Sequence, residues 1–167
     1  MIDPTADVEA PPIGHPYAAE IQAERGGWYE LAGLVRSLTP EEWLEPGYYS
    51  DPYWAVRDVV AHVGTWLAEA QVQFERINVG SYEGHDLDID GLNATFLAAM
   101  SNQPWEIAWV QANAARSKMI RAWYDIEKPS DEAAWWIRKS GSDHYAEHLV
   151  RLREWVSELT ARRSTVS

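Results

Sequence analysis

The sequence predicts an all-α protein, more specifically a four-helix bundle with short additional helices in the connections. Four long segments place apolar residues at the 3.6-residue period of an α-helix, and short connections separate them. At 167 residues the chain has the length of one domain that can bury a core. We expect a flexible N-terminal arm over residues 1–16, which contains four prolines, and a single bundle domain over residues 17–163.

The charge and composition exclude several classes of function. The formal net charge is −12, and no stripe of lysine and arginine is present, so nucleic-acid binding is not expected. No apolar run reaches the length of a membrane span and the N-terminus lacks the features of a signal peptide, so we expect a cytoplasmic protein that does not bind membranes. The chain has no cysteine, so histidine and carboxylate side chains must hold any metal.

The first long helix is expected over Tyr17–Leu38, where apolar residues follow the helical period. A glycine pair in its middle, Gly26–Gly27, indicates a bend. Thr39–Glu42 then has the pattern of a helix start, because a capping hydroxyl precedes a proline and two acidic residues. This short helix should end by Pro46, and residues 47–52 are predicted to form a loop.

The second long helix is predicted over Tyr53–Asn78. His62 lies in the middle of its apolar stripe, with Asp58 and Glu69 at the edge of the same stripe. The inward positions are Ala55, Val59, His62, Trp66 and Ala70. A histidine in such a stripe is either a core side chain satisfied by a neighbour or a ligand.

An acidic loop over residues 80–90 and a short helix over residues 92–100 precede the third long helix, which we expect over residues 104–124. The loop lacks the glycine and glutamate offsets of a calcium site. Asn113 and Arg116 are the polar residues of the third helix expected to face either a pocket or solvent. Its predicted apolar positions are Ile107, Val110 and Ala114.

The last long helix is predicted to begin at Asp143 or Ser142. Before it, Ser130 caps a short helical turn, and residues 139–142 are predicted to form a Gly/Ser turn that breaks the chain. The predicted buried stripe of the last helix is His148, Leu152, Trp155 and Leu159. His144 extends this stripe towards the start of the helix.

His144 and His148 are four residues apart, so they lie one turn above each other on one helix face. Two imidazoles at this spacing can bind one metal ion. Bundles build metal sites in the core from facing helices, and His62 lies on the buried stripe of the second helix. The three histidines therefore predict a metal site with open coordination positions, as in catalytic sites. Zinc or nickel suits neutral imidazoles, and iron or manganese stays open.

Five further residues are candidates for the surroundings of this site. Asp58 lies one turn before His62 and is the better candidate for a partner of an imidazole, whereas Glu147 lies about 100° round the helix from His148 and could face solvent. Trp66 can line a pocket, and Asn113 can face one. Arg116 could bind a substrate carboxylate.

Two segments resemble the DinB-like superfamily. The chain reads LTPEEW at residues 38–43 and WAVRDVVAHV at residues 54–63, and a late helix carries an H-x-x-x-H pattern. The resemblance is closest to the branch containing the N-terminal domain of mycothiol-dependent maleylpyruvate isomerase, and it extends over about residues 17–160. It implies a four-helix bundle, a divalent metal at the positions of His62, His144 and His148, and in many members a homodimer.

The resemblance also implies thiol-cofactor chemistry, such as isomerisation or S-transfer with mycothiol or bacillithiol. A metal with open positions can hold a thiol as the thiolate or lower the pKa of a bound water. Because the chain has no cysteine, a small-molecule cofactor would supply the thiol. We expect a metal-dependent S-transferase or isomerase that acts on a small electrophile. The alternatives are a binding or resistance protein that sequesters or hydrolyses a reactive compound, and a bundle that has lost its chemistry.

Overall fold

The computed structural model of the chain describes residues 18–50, 53–84, 87–127 and 130–166, which are mainly α-helical. The all-α prediction is therefore confirmed. The predicted arm over residues 1–16 lies outside the described residues, as do His15 and His85. The elements in chain order are α1 (Ala18–Arg36), α2 (Pro40–Leu44), β1 (Tyr49–Ser50), β2 (Tyr53–Trp54), α3 (Val56–Asn78), α4 (Ile89–Met100), α5 (Trp105–Tyr124), α6 (Asp131–Ile137) and α7 (Asp143–Val166).

The four longest helices, α1, α3, α5 and α7, share one hydrophobic core. The most extensive packing is between α3 and α5, and α1 packs on α7. Trp28, Trp123 and Trp136 are the largest apolar side chains fully inside this core. None of the described helices has the length and apolar character needed to cross a membrane.

Two glycines allow the helices to approach closely. A Cβ atom on Gly64 of α3 would lie 2.9 Å from the Cα of Ala112 on α5, and one on Gly27 of α1 would lie 2.9 Å from the Tyr145 ring on α7. Both distances are too short for a side chain, so only glycine fits. At Gly26–Gly27, where the sequence indicates a bend, α1 continues without interruption.

The buried face of α5 differs from the predicted one. Ile107, Val110 and Ala114 are exposed, with 46% of Ile107 and 63% of Val110 accessible. Two polar residues, Asn113 and Arg116, are buried instead. Their apolar companions on this face include Ala108, Ala112, Met119 and Trp123. The prediction is wrong because the buried polar residues interrupt the apolar stripe, so an outward-facing set of residues matches the helical period better.

The segment between α6 and α7 contains a kink, where the sequence predicts a Gly/Ser turn that breaks the chain. Residues Arg138–Ser142 join the two helices, and Gly141 departs from helical backbone angles, with φ −112° and ψ −105°. The predicted break is therefore found at Gly141. Asp143 has helical angles, so it lies inside α7 instead of capping it.

A short hairpin precedes α3, where the sequence predicts a loop and an earlier helix start. β1 and β2 pair antiparallel, with Tyr49 opposite Trp54. The helix begins at Val56, because the Asp58 carboxylate accepts a 2.8 Å hydrogen bond from the Ala55 backbone N–H and so caps the first turn. The hairpin lies at the N-terminal end of α3, the end nearer to His62.

A buried ion pair connects three of the long helices. Arg116 on α5 donates two hydrogen bonds of 2.6 Å to the Glu24 carboxylate on α1, and both side chains are almost completely buried. The Tyr145 hydroxyl on α7 donates to the same carboxylate at 2.9 Å. Burial alone would lower the pKa of Arg116, but hydrogen bonding and the charge of Glu24 raise it, so the guanidinium stays charged. The ion pair therefore joins α1, α5 and α7.

Replacing Arg116 by methionine should lower the free energy of unfolding by about 3–5 kcal/mol, because it leaves the Glu24 carboxylate buried without a cation. Urea denaturation measures this change. The double variant Arg116→Met/Glu24→Leu should be more stable than Arg116→Met alone, since no unpaired charge remains.

The control is Arg153→Met, which removes an exposed ion pair with Glu30 and should change stability by less than about 1 kcal/mol. Equal losses for the Arg116 and Arg153 variants would contradict the role of the buried pair.

Candidate metal centre

Three histidine side chains converge between α3 and α7. His62 comes from α3, and His144 and His148 come from successive turns of α7. Nε2 of His144 lies 3.0 Å from Nε2 of His62 and 3.1 Å from Nε2 of His148. One nitrogen from each ring lies within 4.8 Å of the other two. The three imidazoles are therefore close enough together to hold one metal ion.

The apolar stripes of the two helices produce this convergence. The stripe of α3 is buried as predicted, at Ala55, Val59, His62, Trp66 and Ala70. The stripe of α7 is buried as predicted, at His144, His148, Leu152, Trp155 and Leu159. Because each histidine occupies a position that faces the core, the packing of the two helices brings the three rings together.

Hydrogen bonding among the rings cannot satisfy all three nitrogens. Nε2 of a neutral imidazole carries either one proton or one lone pair. Nε2 of His144 lies within hydrogen-bond distance of the Nε2 atoms of both His62 and His148, but it can form a full hydrogen bond with only one of them. A metal ion between the rings would use the lone pair of every Nε2 atom. The geometry thus suits a cation better than it suits the rings alone.

Burial keeps the rings in the form that binds metal. Loss of solvent contact lowers the pKa of His62 to about 3, with a contribution from the charge of His148. Burial lowers the pKa of His148 to about 4, and the pKa of His144 lies well below its ordinary value for the same reason. All three imidazoles are therefore neutral at pH 7, as metal coordination by nitrogen requires.

The nitrogen separations fit a divalent ion with neighbouring imidazole ligands. Metal–nitrogen bonds of about 2.0–2.1 Å place such ligands about 3.3 Å apart in tetrahedral geometry and about 2.9 Å apart in octahedral geometry. Two Nε2 separations, 3.0 Å and 3.1 Å, lie between these values, so small side-chain shifts would accommodate the ion. Three imidazoles leave at least one coordination position for water or another small ligand.

The hairpin supplies a hydrogen-bond partner for one imidazole. The Tyr49 hydroxyl lies 3.2 Å from Nδ1 of His148, and with Nε2 on a metal this Nδ1 carries the proton and donates to Tyr49. The Tyr48 hydroxyl donates to the backbone carbonyl of His148 at 2.8 Å. Arg151 on α7 donates to the backbone carbonyls of Tyr48 and Gly47. These bonds fix the hairpin on α7 and hold Tyr49 against the ring.

A cavity of about 390 Å³ lies beside the histidines. Its walls include His62 and His148 but not His144. The other wall residues are Tyr49 and Trp54 from the hairpin and Asn93, Ala94 and Leu97 from α4. None of these wall residues is an acid, a lysine or an arginine. The described residues beside the three histidines therefore form an uncharged, partly aromatic cavity.

Of the residues predicted to surround a metal, Trp66 lies beside the histidine cluster. The centre of its ring is 6.1 Å from the centre of the His144 ring. Asp58 has other partners, because its carboxylate caps α3 and accepts hydrogen bonds from Arg57 at 2.9 and 3.2 Å. Glu147 is exposed to solvent. The structure therefore gives neither acid an imidazole partner.

Asn113 and Arg116 lie elsewhere in the core. The Asn113 side chain donates to the backbone carbonyl of Trp109 on its own helix at 2.8 Å. The Arg116 guanidinium is held by Glu24. Neither residue lines the cavity beside the histidines. The prediction that Arg116 binds a substrate carboxylate does not fit this position, because its charge is already neutralised inside the protein.

Five wall residues were not among the predicted site residues, and three of these have aromatic or polar side chains: Tyr49, Trp54 and Asn93. The Trp54 ring lies 5.2 Å from the His62 ring between centres, so the hairpin covers that side of the site. A cluster of aromatic residues just before the helix that carries His62 was a usable sequence signal for Tyr49 and Trp54. Asn93 had no such signal, because its place depends on how α4 packs over α3.

Comparison with known proteins gives a fold and no function. No family model matches the chain, and no curated protein matches it. The fold is similar to the crystal structure of an uncharacterised protein from Escherichia coli UTI89, with a TM-score of 0.70 over 86% of this chain and 94% of that chain. The two sequences are 18% identical, so this likeness concerns the fold alone.

Each of the variants His62→Ala, His144→Ala and His148→Ala should lose bound metal. Removing a ligand should reduce the affinity for zinc by more than the roughly 10- to 100-fold that follows loss of an outer hydrogen-bond partner. Elemental analysis of protein purified without chelator, followed by calorimetric titration with zinc and nickel, measures this. Glu147→Gln, an exposed change beside His148, is the control and should keep the metal. Full metal content in His148→Ala would place the site elsewhere.

Tyr49→Phe should reduce metal affinity by roughly 10-fold, because the Nδ1 proton of His148 loses its acceptor. The matched control is Tyr48→Phe. The Tyr48 hydroxyl donates to the backbone of His148 and also interacts with the Tyr49 hydroxyl, so the variant should lower stability by about 1 kcal/mol and reduce metal affinity by less than Tyr49→Phe does. Titration calorimetry and thermal unfolding separate the two effects. Equal losses of metal affinity in both variants would mean that the affinity depends on docking of the hairpin on α7 and not on the contact between Tyr49 and the His148 ring.

Proposed function

We propose that the protein is a metal-dependent enzyme whose divalent ion, zinc or nickel, is held by His62, His144 and His148. The observation that carries this proposal is the convergence of three neutral Nε2 atoms that cannot satisfy one another by hydrogen bonds. An ion held there would supply Lewis-acid chemistry and lower the pKa of a bound thiol or water. The position beside an uncharged cavity supports a catalytic role over a structural one.

The proposal includes membership of the DinB-like superfamily and a four-helix bundle built by α1, α3, α5 and α7. The motifs at residues 38–43 and 54–63, with the late histidine pair, support it. In the structure the first motif forms the capped helix α2, and the second leads from the hairpin into α3 and ends just beyond His62. A homodimer is proposed on the resemblance alone.

The proposed reaction is thiol-dependent S-transfer or isomerisation of a small electrophile. The chain has no cysteine, so mycothiol or another low-molecular-weight thiol would provide the sulfur nucleophile. The protein's own contribution would be to hold the three imidazoles neutral, to orient His148 through Tyr49, and to surround the reactants with apolar walls. Apolar walls exclude water, which favours attack by the thiolate over hydrolysis of the electrophile.

A second candidate function is binding or resistance, in which the protein sequesters or hydrolyses a reactive compound. The aromatic walls formed by Tyr49 and Trp54 support this candidate, because flat rings bind apolar small molecules without any reaction. The same metal centre could activate water for hydrolysis. The two candidates differ in whether a thiol is consumed.

The test is a rate measurement with zinc- or nickel-loaded protein, mycothiol or bacillithiol, and the uncharged electrophile 1-chloro-2,4-dinitrobenzene. We expect thiol consumption above the background rate, which chelation or His62→Ala should abolish and Glu147→Gln should leave unchanged. Metal binding without acceleration, together with stabilisation by the electrophile, would favour the binding function. Failure to bind any metal, with an unchanged melting temperature on adding zinc or nickel, would indicate a bundle that has lost the chemistry.

A further inference from the structure

The chemical character of the cavity restricts what can enter it. Among the described residues, no lysine or arginine lines the cavity, so a carboxylate or phosphate there would lose water without gaining a cationic partner from them. The nearest candidate named from the sequence, Arg116, is bound to Glu24 elsewhere in the core. Aromatic and aliphatic side chains form much of the wall, so an uncharged ligand with an apolar body fits best.

One amide offers the cavity a hydrogen-bond donor of known orientation. Nε1 of Trp66 lies 3.0 Å from Oδ1 of Asn93. An indole N–H only donates, so the Asn93 atom that faces it must be the oxygen and the NH2 group must lie at the other end. Among the described residues no acceptor is bonded to that NH2 group. Asn93 lines the same cavity as His62 and His148.

We propose that the cavity accepts an uncharged, carbonyl-bearing small molecule and that Asn93 Nδ2 donates a hydrogen bond to the carbonyl oxygen. Trp66 acts as a positioning residue, because its indole prevents the amide from turning over. This inference rests on the proposed function, since it names the class of electrophile that the metal centre would receive. It also makes α4 part of the site, because Asn93 and Leu97 lie one turn apart on that helix and both line the cavity.

The experiment compares two probes of the same shape, acetophenone and α-methylstyrene, which differ in having C=O or C=CH2. Dissociation constants are measured by ligand-observed NMR titration of the full chain, in zinc-loaded and chelator-treated samples. Water solvates the carbonyl, so the informative quantity is the change in the ratio of the two constants between wild type and variant. Metal content is measured on the same samples.

Asn93→Asp keeps an oxygen that accepts from Trp66 and replaces the NH2 donor by a negatively charged oxygen, which repels a carbonyl oxygen. This variant should weaken the binding of acetophenone relative to that of α-methylstyrene. The expected change in the ratio of dissociation constants is at least the roughly 2- to 10-fold value of a neutral hydrogen bond. Asn93→Leu should change the ratio in the same direction. Trp66→Phe should produce a smaller change of the ratio, which loss of packing alone would not produce. Thr95→Ala, an exposed change on α4, is the control and should leave the ratio unchanged.

The proposal is overturned if the ratio is unchanged in both Asn93 variants, if neither probe binds the wild type, or if benzoate binds the chelator-treated protein more tightly than acetophenone. The outcome is separable from that of the proposed function. A change of the ratio in zinc-treated samples that take up no metal would support the role of Asn93 while contradicting the metal centre. An unchanged ratio in protein that binds zinc would support the metal centre while contradicting the role of Asn93.

Discussion

The buried ion pair between Arg116 and Glu24 determines how α7 presents its histidines. Tyr145 donates to the Glu24 carboxylate, and this bond directs one face of the first turn of α7 towards α1. His144 precedes Tyr145 and lies about 100° round the helix. When Tyr145 is held against α1, His144 therefore faces α3. There its Nε2 lies 3.0 Å from Nε2 of His62. An ion pair outside the cavity thus fixes the rotation of α7, the helix that carries two of the three histidines.

Three neutral imidazoles in the core lower the stability of the metal-free protein. Their nitrogen atoms are removed from water, yet the rings satisfy only part of their hydrogen-bonding capacity among themselves. Proteins retain such arrangements where a ligand or reaction requires them. The surrounding structure has to impose the geometry, and here it does so with close helix packing at Gly64 and a hairpin bonded to α7.

Much of the fold and the three-histidine cluster could be predicted from the sequence, because both depend on local patterns. The stripes through His62 and His148 follow the helical period, and Thr39 caps α2 as its neighbours indicate. The prediction of α5 failed because Arg116 is charged, and only the distant Glu24 makes its burial possible. Asn93 could not be identified for a related reason: its role depends on contacts between α4 and α3, which no local pattern encodes.

The hairpin has a consequence for how the chain is made. Its anchoring bonds reach 100 residues or more along the chain, from Tyr48 to His148 and Arg151, and the first ligand precedes the second by 82 residues. During synthesis, α3 and the hairpin leave the ribosome long before α7 exists. These long loops can close only after α7 has been synthesised. A site that needs all three histidines therefore cannot form before α7 exists, and it cannot nucleate the folding of the earlier helices.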